Sequence, residues 1–152
     1  VFKVDKNKVK SKSQKEYKEL IELNVKSTKQ NIKKVREKVG EIAKKAGFGK
    51  KDIFNIKLAI NEAQANVLEH AYQEDETGLI QIKLFIYDDR LTVLIKDFGK
   101  GIDTKTIKNE NHLEEIEGSG LGVYLINQLM DKVEYKRTEK IGTELWLTKY
   151  IH

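Results

Sequence analysis

The sequence predicts an α+β fold. Segments with the two-residue period of strands and segments with the three-to-four-residue period of helices occur in one chain of 152 residues. A chain of this length falls within the size of one domain and buries roughly two-thirds of its unfolded surface. We therefore expect one domain over residues 16–152, preceded by a lysine-rich segment, residues 1–15, that forms a loose tail or an edge strand.

Composition excludes several kinds of site. The chain has no cysteine, which rules out disulfides and thiolate metal sites, and its three histidines lack the spacing of zinc ligands. It has no run of about 18 apolar residues that would span a membrane. The lysine-rich start also lacks the apolar core of a signal peptide. We expect a cytoplasmic protein that does not bind membranes.

The basic and acidic residues are unevenly distributed. Residues 1–51 contain 17 basic and six acidic residues, whereas the remainder contains 12 and 18. Such asymmetry is compatible with an anionic partner, either nucleic acid or an acidic protein. A solvated lysine-rich face explains it more simply, because lysines are mostly exposed in any case. Direct nucleic-acid binding is therefore not expected.

A strand and a helix are predicted first along the chain. Residues 17–26 alternate apolar and polar side chains, which is typical of a half-buried strand. Ser27 or Thr28 then offers an N-cap for an amphipathic helix. Gly47 fits the position after the end of that helix, where a positive φ is easily adopted without a Cβ.

A second helix is predicted over residues 53–72, with Asp52 as its cap. Opposite its apolar face lies a polar stripe of four residues, three of them within about 40° of Asn55 around the helix. The stripe consists of Asn55, Glu62, Asn66 and Glu69. It is either ordinary solvent-facing surface, which the helix alone favours, or one wall of a site.

Two strands follow, and the second ends in an inward-facing carboxylate. Residues 79–87 and 91–97 form the strands, and Asp97 shares the inward parity of Leu91 and Val93. A carboxylate at such a position is costly to desolvate unless a hydrogen-bond donor contacts it. The donor is either a bound base with an exocyclic amino group or the backbone amides of residues 99–101.

Two glycine-rich segments flank a polar insert, residues 103–117, that suits a mobile lid or a plain surface loop. Asp-Phe-Gly-Lys-Gly at 97–101 lets a flat ligand approach the backbone, although a tight turn has the same pattern. Gly-Ser-Gly-Leu-Gly at 118–122 directly precedes a predicted helix. Free amides and the positive end of the helix dipole at such a position bind phosphate. The pattern is not that of a Walker loop, because no Gly-Lys-Ser/Thr follows.

A closing hairpin is predicted from residues 133–138 and 143–151, with Trp146 as a packing residue. The complete order is strand, helix, helix, strand pair, glycine segment, insert, glycine segment, helix and hairpin.

This order resembles the GHKL ATPase superfamily over residues 17–151. Glu-Ala-Gln-Ala-Asn-Val-Leu-Glu-His-Ala-Tyr at 62–72 resembles its N box, residues 97–101 its G1 box and residues 118–122 its G2 box. The compact size, the His-Ala-Tyr ending, the short insert and Gly-Thr-Glu-Leu-Trp-Leu at 142–147 look most like bacterial anti-sigma-factor serine/threonine-protein kinases. Such kinases bind a sigma factor and phosphorylate a serine on an anti-sigma-factor antagonist, thereby regulating transcription.

The resemblance implies the Bergerat ATP-binding fold, a two-layer α/β sandwich with a mixed, mainly antiparallel sheet and helices on one face. It implies ATP and Mg²⁺ as cofactors, a sigma factor and an antagonist protein as partners, and a possible homodimer. Glu62 would be the general base, Asn66 the Mg²⁺ ligand, and Asp97 the residue that binds the adenine amino group with help from Thr143. The other nucleotide-binding residues implied are Gly99, Gly101, Gly118, Gly120, Leu121 and Gly122.

One departure from the family pattern keeps an alternative function open. Some of these kinases carry an arginine at the position that is Gly118 here, so the resemblance supports ATP binding more firmly than phosphoryl transfer. The alternative is a non-catalytic ATP-gated binding protein of the same fold. The catalytic half of a histidine kinase shares the three boxes, but this sequence shows no dimerisation and phosphoacceptor helix pair before them.

Overall fold

A computed structural model describes residues 2–5, 16–99, 119–137 and 142–152, with the backbone alone for 2–5 and 119–121. In chain order the elements are β1 (Phe2–Asp5), β2 (Glu19–Lys26), α1 (Lys29–Ala46), α2 (Lys50–Asn66), a π-helical turn (Val67–Ala71), β3 (Leu79–Ile86), β4 (Arg90–Asp97), α3 (Ser119–Leu129), β5 (Lys132–Arg137) and β6 (Thr143–Tyr150). The predicted α+β class is confirmed. Residues 6–15 and the predicted lid lie outside the described residues.

The strands form a six-stranded sheet in the order β1-β2-β3-β4-β6-β5. Every pairing among these strands is antiparallel, as expected for a mainly antiparallel sheet. Of the two possibilities for the start of the chain, Phe2–Asp5 forms an edge strand on β2. Between β4 and β6, Lys96 lies opposite Glu144, so the next residues, Asp97 and Thr143, are brought together at the end of the two strands.

The predicted limits of α1 are confirmed. The Thr28 side chain accepts a hydrogen bond from the amide of Asn31 at 3.0 Å, and Gly47 ends the helix with φ of 105°. The predicted cap at Asp52 is wrong, because α2 already begins at Lys50 after an extended Gly49. Asp52 lies instead in the first turn of α2, with its carboxylate 3.9 Å from the ammonium of Lys149.

The three helices within the described residues pack on one face of the sheet and share a single core. The largest fully buried side chains of this core are Leu23, Ile56, Ile60, Ile80, Ile82, Leu84, Leu91, Ile95, Ile126 and Leu147. On the opposite face, Trp146 stacks on Phe85 with ring centroids 5.9 Å apart, which confirms its predicted packing role. None of the helices in the described ranges combines the length and apolar character needed to cross a bilayer.

Candidate functional site

The end of α2 brings two predicted site residues to one surface. Glu62 and Asn66 lie one helical turn apart and therefore on the same face of the helix. Asn66 is only 5% exposed, and Glu62 is half-buried. The polar stripe is thus not a plain solvent-facing surface at this end. Glu69 lies exposed, because the π-helical turn from Val67 to Ala71 changes the angular phase of the residues that follow Asn66.

Helix α3 approaches these two side chains through Gly122. A Cβ at Gly122 would lie 3.0 Å from both amide atoms of Asn66 and 3.3 Å from Oε2 of Glu62. Contacts of 3.0 to 3.4 Å are tighter than ordinary van der Waals contact, so a larger residue would press on both side chains. Glycine at this position lets the backbone of α3 reach the carboxylate and the amide together.

The second glycine segment does not precede a helix, as the sequence predicts, but forms its first turn. Because α3 begins at Ser119, Gly120, Leu121 and Gly122 all lie within it. The absence of side chains at two of these positions weakens the helical signal of the sequence, which explains the misplaced boundary. The first turn of a helix still carries amides without intrahelical partners, so its ability to bind phosphate is unchanged. Gly118 and Gly101 lie outside the described residues.

Asp97 is the buried carboxylate that the sequence predicts. Its side chain is 2% exposed and accepts hydrogen bonds from the backbone amides of Gly99, at 3.1 Å, and Thr143. Burial raises the pKa of Asp97, and the two amide hydrogen bonds partly offset this rise. Of the two kinds of donor predicted for Asp97, the backbone amide is therefore the one found in the structure. It orients the carboxylate without excluding a bound base.

Close backbone approaches hold Asp97 in place. A Cβ at Gly99 would lie 2.3 Å from the carbonyl oxygen of Ala71, which no side chain can tolerate. Gly142 has φ of 112°, and a Cβ there would lie 2.1 Å from the carbonyl oxygen of Asp97. Glycines thus allow the loop after β4 to pack against the π-helical turn on one side and the start of β6 on the other.

Tyr72 forms hydrogen bonds that hold the start of the same loop in place. It was not predicted as a site residue. Its hydroxyl accepts a hydrogen bond from the amide of Phe98 at 2.8 Å and donates one to the carbonyl of Leu79. Its ring packs against Gly78, where a Cβ would lie 2.5 Å from the ring carbons. Burial raises the pKa of Tyr72, which keeps its hydroxyl neutral. The sequence shows Tyr72 only as the last residue of the N-box motif.

These elements surround a small, partly open cavity. Four polar residues line it: Asn66, Asp97, Tyr135 and Thr143. Its apolar wall is formed by Ala63, Val67, Ile95 and Leu145. A mostly apolar cavity with a few convergent polar groups suits a flat aromatic ligand, and a carboxylate acceptor favours one with an amino group. Tyr135 was missed, although its alternation with Lys132, Glu134 and Lys136 marks the inward-facing positions of β5.

Comparisons with known proteins identify the family of the chain. Residues 25–149 match the histidine kinase-like ATPase domain family. Serine-protein kinase RsbW of Halalkalibacterium halodurans is 36% identical over 140 residues, covering 88% of this chain and 84% of the relative. RsbW of a Bacillus cereus strain is 34% identical, covering 88% and 86%. The chain therefore belongs to the histidine kinase-like ATPase domain family. Within this family, the chain is a protein serine kinase.

Two solved structures share the fold. The RsbU and RsbW domains of a Mycobacterium tuberculosis protein match with a TM-score of 0.62 and 20% identity, over 86% of this chain and 31% of that one. The mycobacterial sensor histidine kinase MprB matches with a TM-score of 0.51 and 16% identity, over 84% and 96%. At such identities the likeness shows the fold alone, and it confirms the predicted GHKL-type sandwich.

Proposed function

We propose that this kinase is an ATP- and Mg²⁺-dependent anti-sigma factor that binds a sigma factor and phosphorylates a serine on an anti-sigma-factor antagonist. The observation that carries the proposal is the convergence of Glu62 and Asn66 on the backbone of Gly122, beside the cavity that contains Asp97. A carboxylate, an amide and the first turn of a helix are the groups that phosphoryl transfer from a nucleotide requires.

Asp97 supports binding of the adenine base. Its carboxylate is fixed by two backbone amides and lines an apolar cavity, where an amino group of the base would supply a further donor. Such a donor would stabilise the charged form, which burial disfavours in the free protein. Thr143, 2% exposed, contributes the amide that orients the carboxylate.

Asn66 and α3 support binding of Mg²⁺ and phosphate. The side-chain oxygen of Asn66 is a hard ligand of the kind Mg²⁺ prefers, and its buried Nδ2 has no hydrogen-bond partner among the described residues. The first-turn amides of α3 lie next to it and would stabilise the charge on the phosphates. When bound, ATP would supply the γ-phosphoryl group and Mg²⁺ would neutralise part of its charge.

Glu62 supports catalysis rather than binding alone. Its half-buried carboxylate faces the same Gly122 as Asn66, one helical turn away, where it would accept the proton of the attacking serine hydroxyl. A protein that only senses ATP has no chemical need for a base at this position. The alternative is a non-catalytic ATP-gated protein. Gly118 supports it, because some of the anti-sigma-factor kinases that this sequence resembles carry arginine at that position.

The partners belong to the same proposal. The curated relatives are named serine-protein kinases, which supports a serine of another protein as the phosphoryl acceptor. Binding to a sigma factor would place the protein in the cytoplasm and make it a regulator of transcription. Assembly as a homodimer is the remaining part of the proposal, and light scattering of the purified chain tests it.

The test of function begins with calorimetric titration of the purified chain with ATP and ADP, with and without Mg²⁺. The chain is then incubated with ATP and a purified antagonist protein, and phosphoserine is measured by mass spectrometry. We expect Mg²⁺-dependent ATP binding and a phosphorylated serine on the antagonist. ATP binding without any phosphoserine would support the ATP-gated alternative, and absence of ATP binding would refute both.

A further inference from the structure

Two enclosed polar atoms in the cavity have no hydrogen-bond partner within the described part of the chain. They are Nδ2 of Asn66 and the hydroxyl of Tyr135. A buried polar group without a partner is destabilising, so groups of this kind are rare in native proteins and call for an explanation. Asn66 is accounted for by its place beside the phosphate-binding turn. The hydroxyl of Tyr135 has no such account from the family motifs.

The position of Tyr135 follows from the edge hairpin. Tyr135 lies on β5 opposite Leu145, which also lines the cavity, and two residues from Arg137, which pairs with Thr143. Its side chain is half-buried because β5 is an edge strand, yet its hydroxyl oxygen is out of contact with solvent. Burial raises the pKa of Tyr135, so the hydroxyl stays protonated at physiological pH and can donate.

We propose that Tyr135 is a base-recognition residue whose hydroxyl donates a hydrogen bond to a ring nitrogen of adenine. This inference rests on the proposed function. In adenine the exocyclic amino group lies between two ring acceptors, N1 and N7. The acceptor Asp97 and the donor Tyr135 line one cavity and together complement an amino group beside a ring acceptor. Guanine has a carbonyl in place of the amino group, which would face the carboxylate of Asp97 unfavourably.

The experiment compares the full chain with Tyr135→Phe for binding of ATP, 1-deaza-ATP and 7-deaza-ATP by calorimetry. Each analogue retains the amino group and lacks one of its two neighbouring ring acceptors. In the wild type we expect one analogue to bind about threefold to tenfold more weakly than ATP, the effect of one neutral hydrogen bond. Tyr135→Phe should bind ATP more weakly than the wild type does, by the same factor. The variant should bind ATP and that analogue with equal affinity.

Thermal unfolding separates this role from a structural one. Because Tyr135→Phe removes an unpartnered buried hydroxyl, its melting temperature without nucleotide should equal or exceed that of the wild type, whereas its rise on adding ATP should be smaller. The matched control is Tyr150→Phe, on the same hairpin but with its ring near Lys132, outside the cavity. The control should bind all three nucleotides as the wild type does.

Two results would overturn the inference in distinguishable ways. If Tyr135→Phe bound ATP with wild-type affinity and discriminated both analogues as the wild type does, the hydroxyl would have no part in base recognition. The proposed function would then stand. If the wild-type chain failed to bind ATP, the proposed function and this inference would both be wrong.

Discussion

Polar side chains on the two faces of the sheet differ in burial and in their hydrogen-bond partners. On the face that the helices cover, Asp97 is buried with a raised pKa, and the buried hydroxyl of Tyr135 has no partner among the described residues. On the open face, outward-facing polar side chains are paired across strands. Lys96 lies 3.8 Å from Glu144, and the hydroxyls of Thr92 and Thr148 lie 3.0 Å apart.

This difference indicates where function is located. Buried polar groups in native proteins nearly always have a hydrogen-bond partner, and within the described residues the unpartnered buried side-chain atoms belong to Ser27, Asn66, His70 and Tyr135, none of them at an outward-facing strand position. Of these four residues, Asn66 and Tyr135 line the cavity. Substitutions of the polar cavity residues on the covered face should therefore weaken binding or catalysis without lowering stability. Substitutions on the open face should affect stability alone.

The largest expected effect is that of Glu62→Ala on phosphoryl transfer. Loss of a general base slows transfer by about 10²- to 10⁴-fold. ATP affinity should stay near the wild-type value, because under the proposed function adenine and Mg²⁺ would be bound by other residues. Single-turnover transfer to the antagonist and calorimetric ATP binding, measured on the same preparation, check both parts.

The chain offers a matched control in Glu69→Ala. Glu69 belongs to the same predicted polar stripe, but it lies exposed on the π-helical turn, 3.6 Å from His70. Its removal should leave transfer and ATP binding unchanged. Equal loss of transfer in both variants would show that negative charge in this region, rather than a base at position 62, supports the reaction.

Asp97→Asn should weaken ATP binding by about 10- to 100-fold, the value of a hydrogen bond to a charged group. The same variant should be more stable than the wild type at neutral pH without nucleotide, because it removes a carboxylate whose burial raises its pKa. Calorimetry and chemical denaturation test the two statements. The control is Asp88→Asn, at the exposed turn of the same hairpin, which should alter neither.

The stability difference between Asp97→Asn and the wild type should depend on pH. Asp97 has a higher pKa in the folded protein than the ordinary value of 3.8, so the folded wild type holds its proton more tightly. The wild type therefore loses stability relative to the variant as pH rises from about that value through the raised pKa. Above that range the difference should be constant. A difference that grew on acidification instead would mean that the carboxylate is stabilised in the folded state.

Strands β2 to β6 and helix α1 could be predicted from the sequence because their side chains follow one period, whereas residues 1–15 show no clear period and left β1 open. Thr28 and Gly47 mark the limits of α1 by local chemistry alone. The π-helical turn could not be predicted, because the sequence continues a helical pattern through Tyr72. The turn depends on tertiary contacts such as the packing of Gly99 on Ala71.

In the site, motif resemblance identified three polar residues that line the cavity and missed residues that hydrogen-bond to the surrounding backbone. Asn66, Asp97 and Thr143 were predicted and line the cavity. Tyr72 was not, because its role is to hydrogen-bond the amide of Phe98, 26 residues away in the chain. Gln64, 1% exposed, bonds to carbonyls of α1 and α2 and was missed for the same reason. Long-range partners of this kind leave no local pattern.

On the open face, Trp146→Ala should lower stability and leave ATP binding unchanged. Trp146 stacks on Phe85, and its indole N–H donates to Glu144 at 3.2 Å. We expect a loss of about 1 to 3 kcal/mol, below the range for a fully buried aromatic side chain because Trp146 is half-buried. Circular dichroism is the suitable probe, since Trp146 is the only tryptophan of the chain. A change in ATP affinity at equal folded fraction would contradict the separation of the two faces.

The smallest effect should come from the ion pair between Lys96 and Glu144. Their side chains are 30% and 24% exposed, and a double-mutant cycle of Lys96→Met and Glu144→Gln should give a coupling below about 1 kcal/mol that decreases with added salt. ATP affinity should stay unchanged, although Lys96 directly precedes Asp97. Successive residues of a strand point to opposite faces, so Lys96, expected to affect stability alone, is adjacent in sequence to Asp97, which is proposed to bind the base. A tenfold loss of ATP affinity in Lys96→Met would mean that the two faces are coupled through β4.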